Sequence, residues 1–144
     1  MNRQKRVRRI ADATERSERA ARAGVAVAAR DLTTAQVSLE EIWDQCRSVA
    51  VSDTDLPLKF GRALVETGWL VAEERAAAVR GAEARLAERT TTWSTQKTRL
   101  DALERLIGRL DDVDRSERAR RDRNALDDLV TSRTIHAAHE GSMP

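Results

Sequence analysis

The chain has 144 residues, of which 35% are charged and only 3% aromatic, and its formal net charge at neutral pH is +2. Alanine, arginine, glutamate and leucine predominate, a composition typical of long helices and coiled coils. Aromatic and β-branched residues in alternating runs are too scarce for a β-sheet, and the core they could form is thin. We therefore expect an all-α protein with a single domain spanning residues 1–144.

Positive and negative side chains alternate along the chain, whereas nucleic-acid-binding proteins usually gather positive charge on one face. No apolar run approaches the roughly 20 residues that a membrane span requires, and no apolar segment follows the basic start as in a secretory signal. Cys46 is the only cysteine, so an intrachain disulfide is excluded. These features predict a cytoplasmic protein that does not bind nucleic acid or insert into a membrane.

Residues from about 3 to 51 are predicted to form a first helix. Its core positions recur at alternating intervals of three and four residues, which places them along one side of an α-helix. This line of core positions, here called the seam, comprises Val25, Ala28, Leu32, Ala35, Leu39, Ile42, Cys46 and Val49. The repeat continues more weakly toward the N-terminus through Glu18, Ala11 and Val7. Cys46 is accordingly interpreted as a small core residue rather than a nucleophile.

A turn is predicted at about residues 52–56, because Ser, Asp and Thr favour helix N-termini and Pro57 is tolerated in a first helical turn. A second helix follows from about 57 to 137, with a flexible tail at 138–144. The threonine-rich residues 90–95 are its poorest helix formers. The seam nevertheless keeps its phase across them, from Leu86 through Trp93 to Leu100, which predicts a continuous helix.

The second helix carries a seam of its own: Val79, Ala82, Leu86, Arg89, Trp93, Gln96, Leu100, Leu103, Ile107 and Leu110. When the two helices are paired antiparallel, the facing residue numbers sum to a near-constant value, so that Val25 faces Leu86. The midpoint of this pairing falls at the predicted turn. Two independent signals therefore predict an antiparallel two-helix coiled-coil hairpin.

The second helix is predicted to be the longer one, overhanging at its C-terminal end. The first helix provides no partner beyond about Ile107, and the seam becomes polar at Asp114 and Glu117. Residues from about 110 to 135 should therefore form a single unpaired helix. Leu126, Leu129 and Val130 make an apolar stripe on it, and this stripe is either a frayed helix end or a docking surface for another protein.

The sequence contains no glycine-rich phosphate loop, no CxxC pair and no Ser/His/Asp arrangement, so neither catalysis nor a cofactor is predicted. His136 and His139 lie near the end of the chain, where a metal site would lack support. Trp43 and Trp69 flank the seam near the hairpin tip. They either cover the edges of a thin core or form an apolar patch that receives a partner. The basic start of the chain is open to a similar pair of interpretations, a solvated helix end or a patch for an acidic partner or a membrane surface.

Three short patterns in the second helix point to a family. They are Leu103-Glu104-Arg105-Leu106, the dense Arg/Glu run at 115–121, and Leu126-Asp127-Asp128-Leu129 ahead of Arg133. Together with the hairpin architecture, they resemble the FliJ family, the small coiled-coil protein of the flagellar type III export apparatus. The Asp-Asp step and Gly108 depart from the family pattern, and residues 53–98 match it only in character.

The resemblance implies a non-enzymatic stalk of the hexameric flagellar export ATPase. Such a protein also contacts the export-gate membrane protein and export chaperones at the cytoplasmic side of the membrane, at the flagellar base. It is expected to be monomeric when free. The residues that would face the ATPase are Arg3, Arg6, Arg8, Arg9, Arg115, Arg118, Arg121, Leu126, Leu129 and Arg133. Trp43 and Trp69 would contact the gate.

Two alternatives remain open from the sequence. One is the equivalent stalk of a virulence type III secretion system, which the sequence hardly distinguishes from a flagellar one. The other is a structural coiled coil that self-associates through the same seams.

Overall fold

A computed structural model describes the backbone of residues 2–52 and 58–142 and the side chains of residues 2–49 and 62–142. Its elements are two helices, α1 (Arg3–Ser52) and α2 (Leu58–Glu140), of 50 and 83 residues. Apart from residue 52, which belongs to α1, the predicted turn lies outside the described residues. The helix α2 continues past the predicted end at 137, so residues 138–140 are helical rather than part of a flexible tail.

Hydrogen bonds define the outer ends of both helices. At the start of α1, Asn2 Oδ1 accepts a hydrogen bond from the Gln4 amide at 3.3 Å, and the Asn2 carbonyl accepts one from the Lys5 amide at 3.0 Å. Asn2 is therefore the N-cap. At the end of α2, the Gly141 amide donates to the Ala137 carbonyl at 3.1 Å, which satisfies one of the final carbonyls.

The threonine-rich stretch does not interrupt α2. The hydroxyls of Thr90, Thr91 and Thr92 donate to the carbonyls four residues earlier, at 2.8, 3.0 and 3.1 Å. Thr95 and Thr98 do the same at 3.0 and 2.9 Å. Such bonds satisfy each hydroxyl without drawing the backbone out of the helix. The predicted continuity of α2 through residues 90–95 is confirmed.

The chain divides into two compact units: the 12–100 unit (Asp12–Leu100), and the terminal unit formed by Met1–Ala11 with Asp101–Pro144. Within the 12–100 unit, Glu18 contacts Trp93 and Ser38 contacts Arg75. A later residue of α1 therefore contacts an earlier residue of α2, so the two helices run antiparallel. The predicted all-α, antiparallel two-helix hairpin is confirmed, whereas a single domain for the whole chain stays a prediction.

The core of the 12–100 unit is narrow, and its buried apolar residues are Ala28, Ala72 and Ala82. Among the described residues, no large side chain is fully buried. Small residues at facing positions let two helices approach closely. The seam positions of α1 in this unit are all partly or fully buried: Glu18, Val25, Ala28, Leu32, Ala35, Leu39, Ile42, Cys46 and Val49. Thr14 and Ala21 continue the repeat, and Glu15, Gly24, Ala29, Ser38 and Trp43 beside it are partly buried as well.

In the terminal unit, a carboxylate of α2 contacts two side chains of α1. Arg8 Nη2 lies 2.9 Å from Asp111 Oδ1, and the Gln4 side-chain amide donates to the same oxygen. Asp114 is the last partly buried residue of α2, and every residue from 115 to 142 is exposed. The helical residues 115–140, here called the overhang, confirm the predicted extension of the second helix. The overhang begins at 115 rather than at about 110, because Gln4 and Arg8 of α1 still contact Asp111.

Candidate partner-binding surfaces

A buried carboxylate interrupts the apolar seam of the 12–100 unit. Glu18 is only 3% exposed, and its Oε1 accepts a hydrogen bond from Trp93 Nε1 at 2.8 Å. Arg22 donates to the same oxygen from Nη2 at 2.7 Å and from Nε at 3.2 Å. Lys97 Nζ lies 5.4 Å from the centroid of the Trp93 ring, within cation–π range. The site links α1 and α2 through a charged group with several partners.

The indole hydrogen bond lowers the pKa of Glu18 below its ordinary 4.5, although burial acts in the opposite direction. The hydrogen bond from Arg22 and the positive charges of Arg22 and Lys97 lower the pKa further. Glu18 is therefore ionised at neutral pH. A buried anion requires its partners, so this contact favours the one helix register that brings Trp93 opposite Glu18.

From sequence, Glu18 is only a weak continuation of the seam, and its contact with Trp93 is not predicted. A signal was present, because the register that pairs Val25 with Leu86 also places Glu18 opposite Trp93. The indole N–H is only a donor and an ionised carboxylate only an acceptor, which makes such a pair favourable. Arg75, whose Nη1 donates to the carbonyl and the hydroxyl of Ser38 at 2.9 and 2.8 Å, is likewise not predicted.

Trp43 and Trp69 contact each other, with ring centroids 5.4 Å apart and an interplanar angle of 89°. This edge-to-face arrangement is a favourable one for aromatic pairs. Trp43 is partly buried and covers the edge of the core, whereas Trp69 is 60% exposed. The pair thus combines core packing with an exposed apolar surface, and its contact with an export gate stays a prediction.

An apolar cavity of about 250 Å³ lies between α1 and α2 near residues 42–71. It is lined by Ile42, Gln45, Cys46, Val49, Leu64, Val65, Thr67, Gly68 and Val71. A Cβ on Gly68 would lie 2.7 Å from Cys46 Sγ, so glycine allows this close approach. The predicted register instead places Ile42 opposite Gly68. Both residues line the cavity, but the residue closest to Gly68 is Cys46, one helical turn further along α1.

The terminal unit brings together several predicted ATPase-facing arginines. Arg8, Arg115 and Arg118 line one polar cavity of about 350 Å³, with Gln4, Asp111 and Asp114. Arg3, Arg6 and Arg9 are exposed on the first turns of α1. Each of these positions therefore lies at the surface or beside a polar cavity, where an acidic partner would reach it.

The overhang holds some of its arginines in local ion pairs. Arg115 lies 3.5 Å from Asp112, and Arg121 lies 3.7 Å from Glu117. All four side chains are more than half exposed. Such exposed pairs within one helix contribute about 0.5 kcal/mol or less each, so they leave the arginines able to change partner.

Leu126, Leu129 and Val130 are 60–63% exposed. They lie outside the three-and-four repeat of the seam, which would continue through 117, 121, 124 and 128, and so occupy a different face of α2. Helical spacing places further residues on this face. This face carries charges of both signs, since Arg118, Asp122 and Arg133 share it with the three apolar residues, Arg123 and Asp127 lie at one edge, and Asp128 lies on the seam side of the helix.

Within the described part of the chain, neither helix carries an apolar stretch long enough to cross a membrane. In the same residues, no group of three or more His, Cys, Asp or Glu side chains is placed to hold a metal ion. Comparison of the chain with protein-family models, curated proteins and solved structures gave no match. The resemblance to the FliJ family therefore depends on the quoted residues and on the architecture.

Proposed function

We propose that this protein is a non-enzymatic component of the flagellar type III export apparatus. In this role it acts as a stalk for the hexameric export ATPase and links the ring to the export gate and to substrate chaperones. The observation that carries the proposal is the overhang, an exposed helix from 115 to 140 that has no covering helix among the described residues. The family resemblance supplies the identity of the partner.

The chemistry of the overhang suits a protein partner. Isolated helices are marginally stable in water, and amphipathic ones commonly gain stability by laying an apolar face in a partner's groove. Arginine also forms bidentate contacts with carboxylates, so Arg115, Arg118, Arg121 and Arg133 suit an acidic surface. In the proposed arrangement the basic start of α1 contacts the same partner, and Trp69 contacts the gate.

This role places the protein at the cytoplasmic side of the membrane, at the flagellar base. A stalk of a virulence type III secretion system would need the same architecture and would differ in the ATPase it binds. A structural coiled coil is the second candidate, supported by the seam residues Val25, Leu32 and Leu39, which are only partly buried. That candidate requires self-association without an ATPase partner.

The test is calorimetric titration of the purified full-length chain with a flagellar export ATPase and, separately, with a virulence-system ATPase. The triple variant Arg115→Glu, Arg118→Glu, Arg121→Glu is compared with the matched control Arg16→Glu, Arg80→Glu, Arg99→Glu. We expect the overhang variant to bind at least about tenfold more weakly, a change of about 1.4 kcal/mol. The control, with the same change of charge in the 12–100 unit, should bind like the wild type.

Failure of the wild-type protein to bind either ATPase would contradict the proposed function. Binding to the virulence-system ATPase alone would assign the protein to that system. Equal weakening by both triple variants would show that net charge, rather than the overhang, determines the affinity.

A further inference from the structure

We propose that the contact between Glu18 and Trp93 determines which helix α1 pairs with. It favours pairing with α2 of the same chain and opposes the parallel pairing of α1 helices from two copies. This inference does not depend on the proposed function. It concerns the choice between the hairpin and self-association through the α1 seam.

The apolar part of the α1 seam suits either pairing. Its positions from Val25 to Val49 are all apolar, and Val25, Leu32 and Leu39 are only partly buried in the hairpin. An apolar three-and-four repeat of this length would also support a parallel pair of α1 helices, in which each seam residue lies opposite its own copy. The apolar residues alone therefore do not determine the partner.

Glu18 is the one charged residue of the α1 seam, and its surroundings differ between the two pairings. In the hairpin it is 3% exposed and accepts a 2.8 Å hydrogen bond from Trp93 Nε1 on α2. In a parallel pair of α1 helices, Glu18 would lie opposite a second Glu18. Ionised carboxylates only accept hydrogen bonds, so the two would repel each other and neither would have an indole donor.

Arg22 does not distinguish the pairings, because it lies on α1 and accompanies Glu18 in both. Its Nη2 and Nε donate to Glu18 Oε1 within the same helix. The hydrogen bond from the Trp93 indole is the largest cause that lowers the pKa of Glu18, and the positive charge of Lys97, also on α2, acts in the same direction. Exchanging α2 for a second α1 would therefore remove the group that most stabilises the ionised carboxylate.

A second polar contact between the helices has the same direction. Arg75 of α2 donates to the carbonyl and hydroxyl oxygens of Ser38 on α1, at 2.9 and 2.8 Å. At both contacts α1 supplies the acceptor and α2 the donor, so a pair of α1 helices would lack both donors. A buried polar residue at a core position is a known determinant of register and partner in coiled coils, at some cost in stability.

Sedimentation equilibrium of the full-length protein tests the proposal. The seam variant is Glu18→Leu with Trp93→Leu, which replaces both members of the contact by apolar side chains and so leaves no polar group unpaired. The matched control is Glu40→Leu with Thr91→Leu. It makes the same change of net charge and adds two leucines at exposed positions off the seam. Circular dichroism checks that both proteins remain helical.

The wild type and the control should remain monomeric from about 10 to about 500 µM, whereas the seam variant should reach at least the mass of a dimer in this range. Should the double variant lose its helical signal, Glu18→Leu alone is measured, and the same association is expected. A variant that stays monomeric at about 500 µM would overturn the proposal. Equal association of the wild type would also overturn it, because the intact contact would then not oppose self-association.

Cys46 reports which helices pair in the seam variant. It is the only cysteine of the chain, and in the hairpin its Sγ lies close to Gly68 of α2. In a parallel pair of α1 helices, two Cys46 thiols would occupy the same core layer, so oxidation with copper phenanthroline should link them. A disulfide-linked dimer on a non-reducing gel is expected for the seam variant and not for the wild type. Association of the variant without this cross-link would overturn the proposal.

Discussion

The helix α2 has two contrasting regions, its segment within the 12–100 unit and the overhang. In the first, Ala72 and Ala82 are almost completely buried and Trp93 contacts a buried carboxylate. In the overhang every side chain is exposed, and the local ion pairs contribute little. One continuous helix therefore contains a region whose residues determine folding and a region whose residues are available for binding. Helical structure alone does not distinguish the two.

The largest expected difference between these regions is the cost of added side-chain volume. Ala82 is 2% exposed, so Ala82→Leu forces a branched side chain between the helices and should destabilise the protein by about 1–3 kcal/mol. Ala125→Leu, on the exposed overhang, should change the free energy of unfolding by less than about 0.5 kcal/mol. Urea denaturation followed by circular dichroism measures both. Equal costs would mean that the overhang is as closely packed as the seam.

The next difference is the pH dependence of the free energy of unfolding, to which Glu18 contributes. Its folded-state pKa is lower than 4.5, so its contribution to stability is fully present above pH 4.5 and is lost as the pH falls through the folded pKa. Wild-type protein should therefore lose its advantage over Glu18→Gln progressively as the pH falls below 4.5. Thermal melts at each pH measure this. Glu117→Gln, on the overhang, is the control, and a parallel loss in that variant would contradict the assignment to Glu18.

The sequence predicts the features that depend on local interactions, and it misses those that depend on contacts between distant residues. The seam and the end of the paired region follow from local periodicity, because Asp114 and Glu117 occupy positions where apolar residues would be needed. The contact of Glu18 with Trp93 depends on two distant residues, and the periodicity of either helix alone does not reveal it. The close approach of Gly68 to Cys46 also depends on local helix geometry that a constant register does not capture.

Glycine-to-alanine substitutions should differ less in their effect on the free energy of unfolding, and here the substitution at the open site, Gly108, should be stabilising. A Cβ on Gly108 would meet nothing within 4 Å, so Gly108→Ala should stabilise α2 by about 0.5–1 kcal/mol. Gly68→Ala should gain less or destabilise, because its Cβ would lie 2.7 Å from Cys46 Sγ. Cys46→Ala should restore the gain of Gly68→Ala in the double variant. Denaturation of the three variants measures this coupling, and independent, additive effects would show that the contact imposes no constraint.

The smallest expected effect on stability is that of the overhang leucines. Leu126→Ser with Leu129→Ser should change the free energy of unfolding by about 0.5 kcal/mol or less, because neither side chain is packed. The same variant should lose binding to the proposed partner, the export ATPase. Hydrogen exchange should show weakly protected amides throughout 115–140 in both the wild type and the variant. A denaturation midpoint that falls together with binding would instead place the overhang within the cooperative folding unit. An unchanged midpoint with lost binding would show that these leucines serve recognition, because side chains that are exposed in the free protein can still bury their apolar surface against a partner.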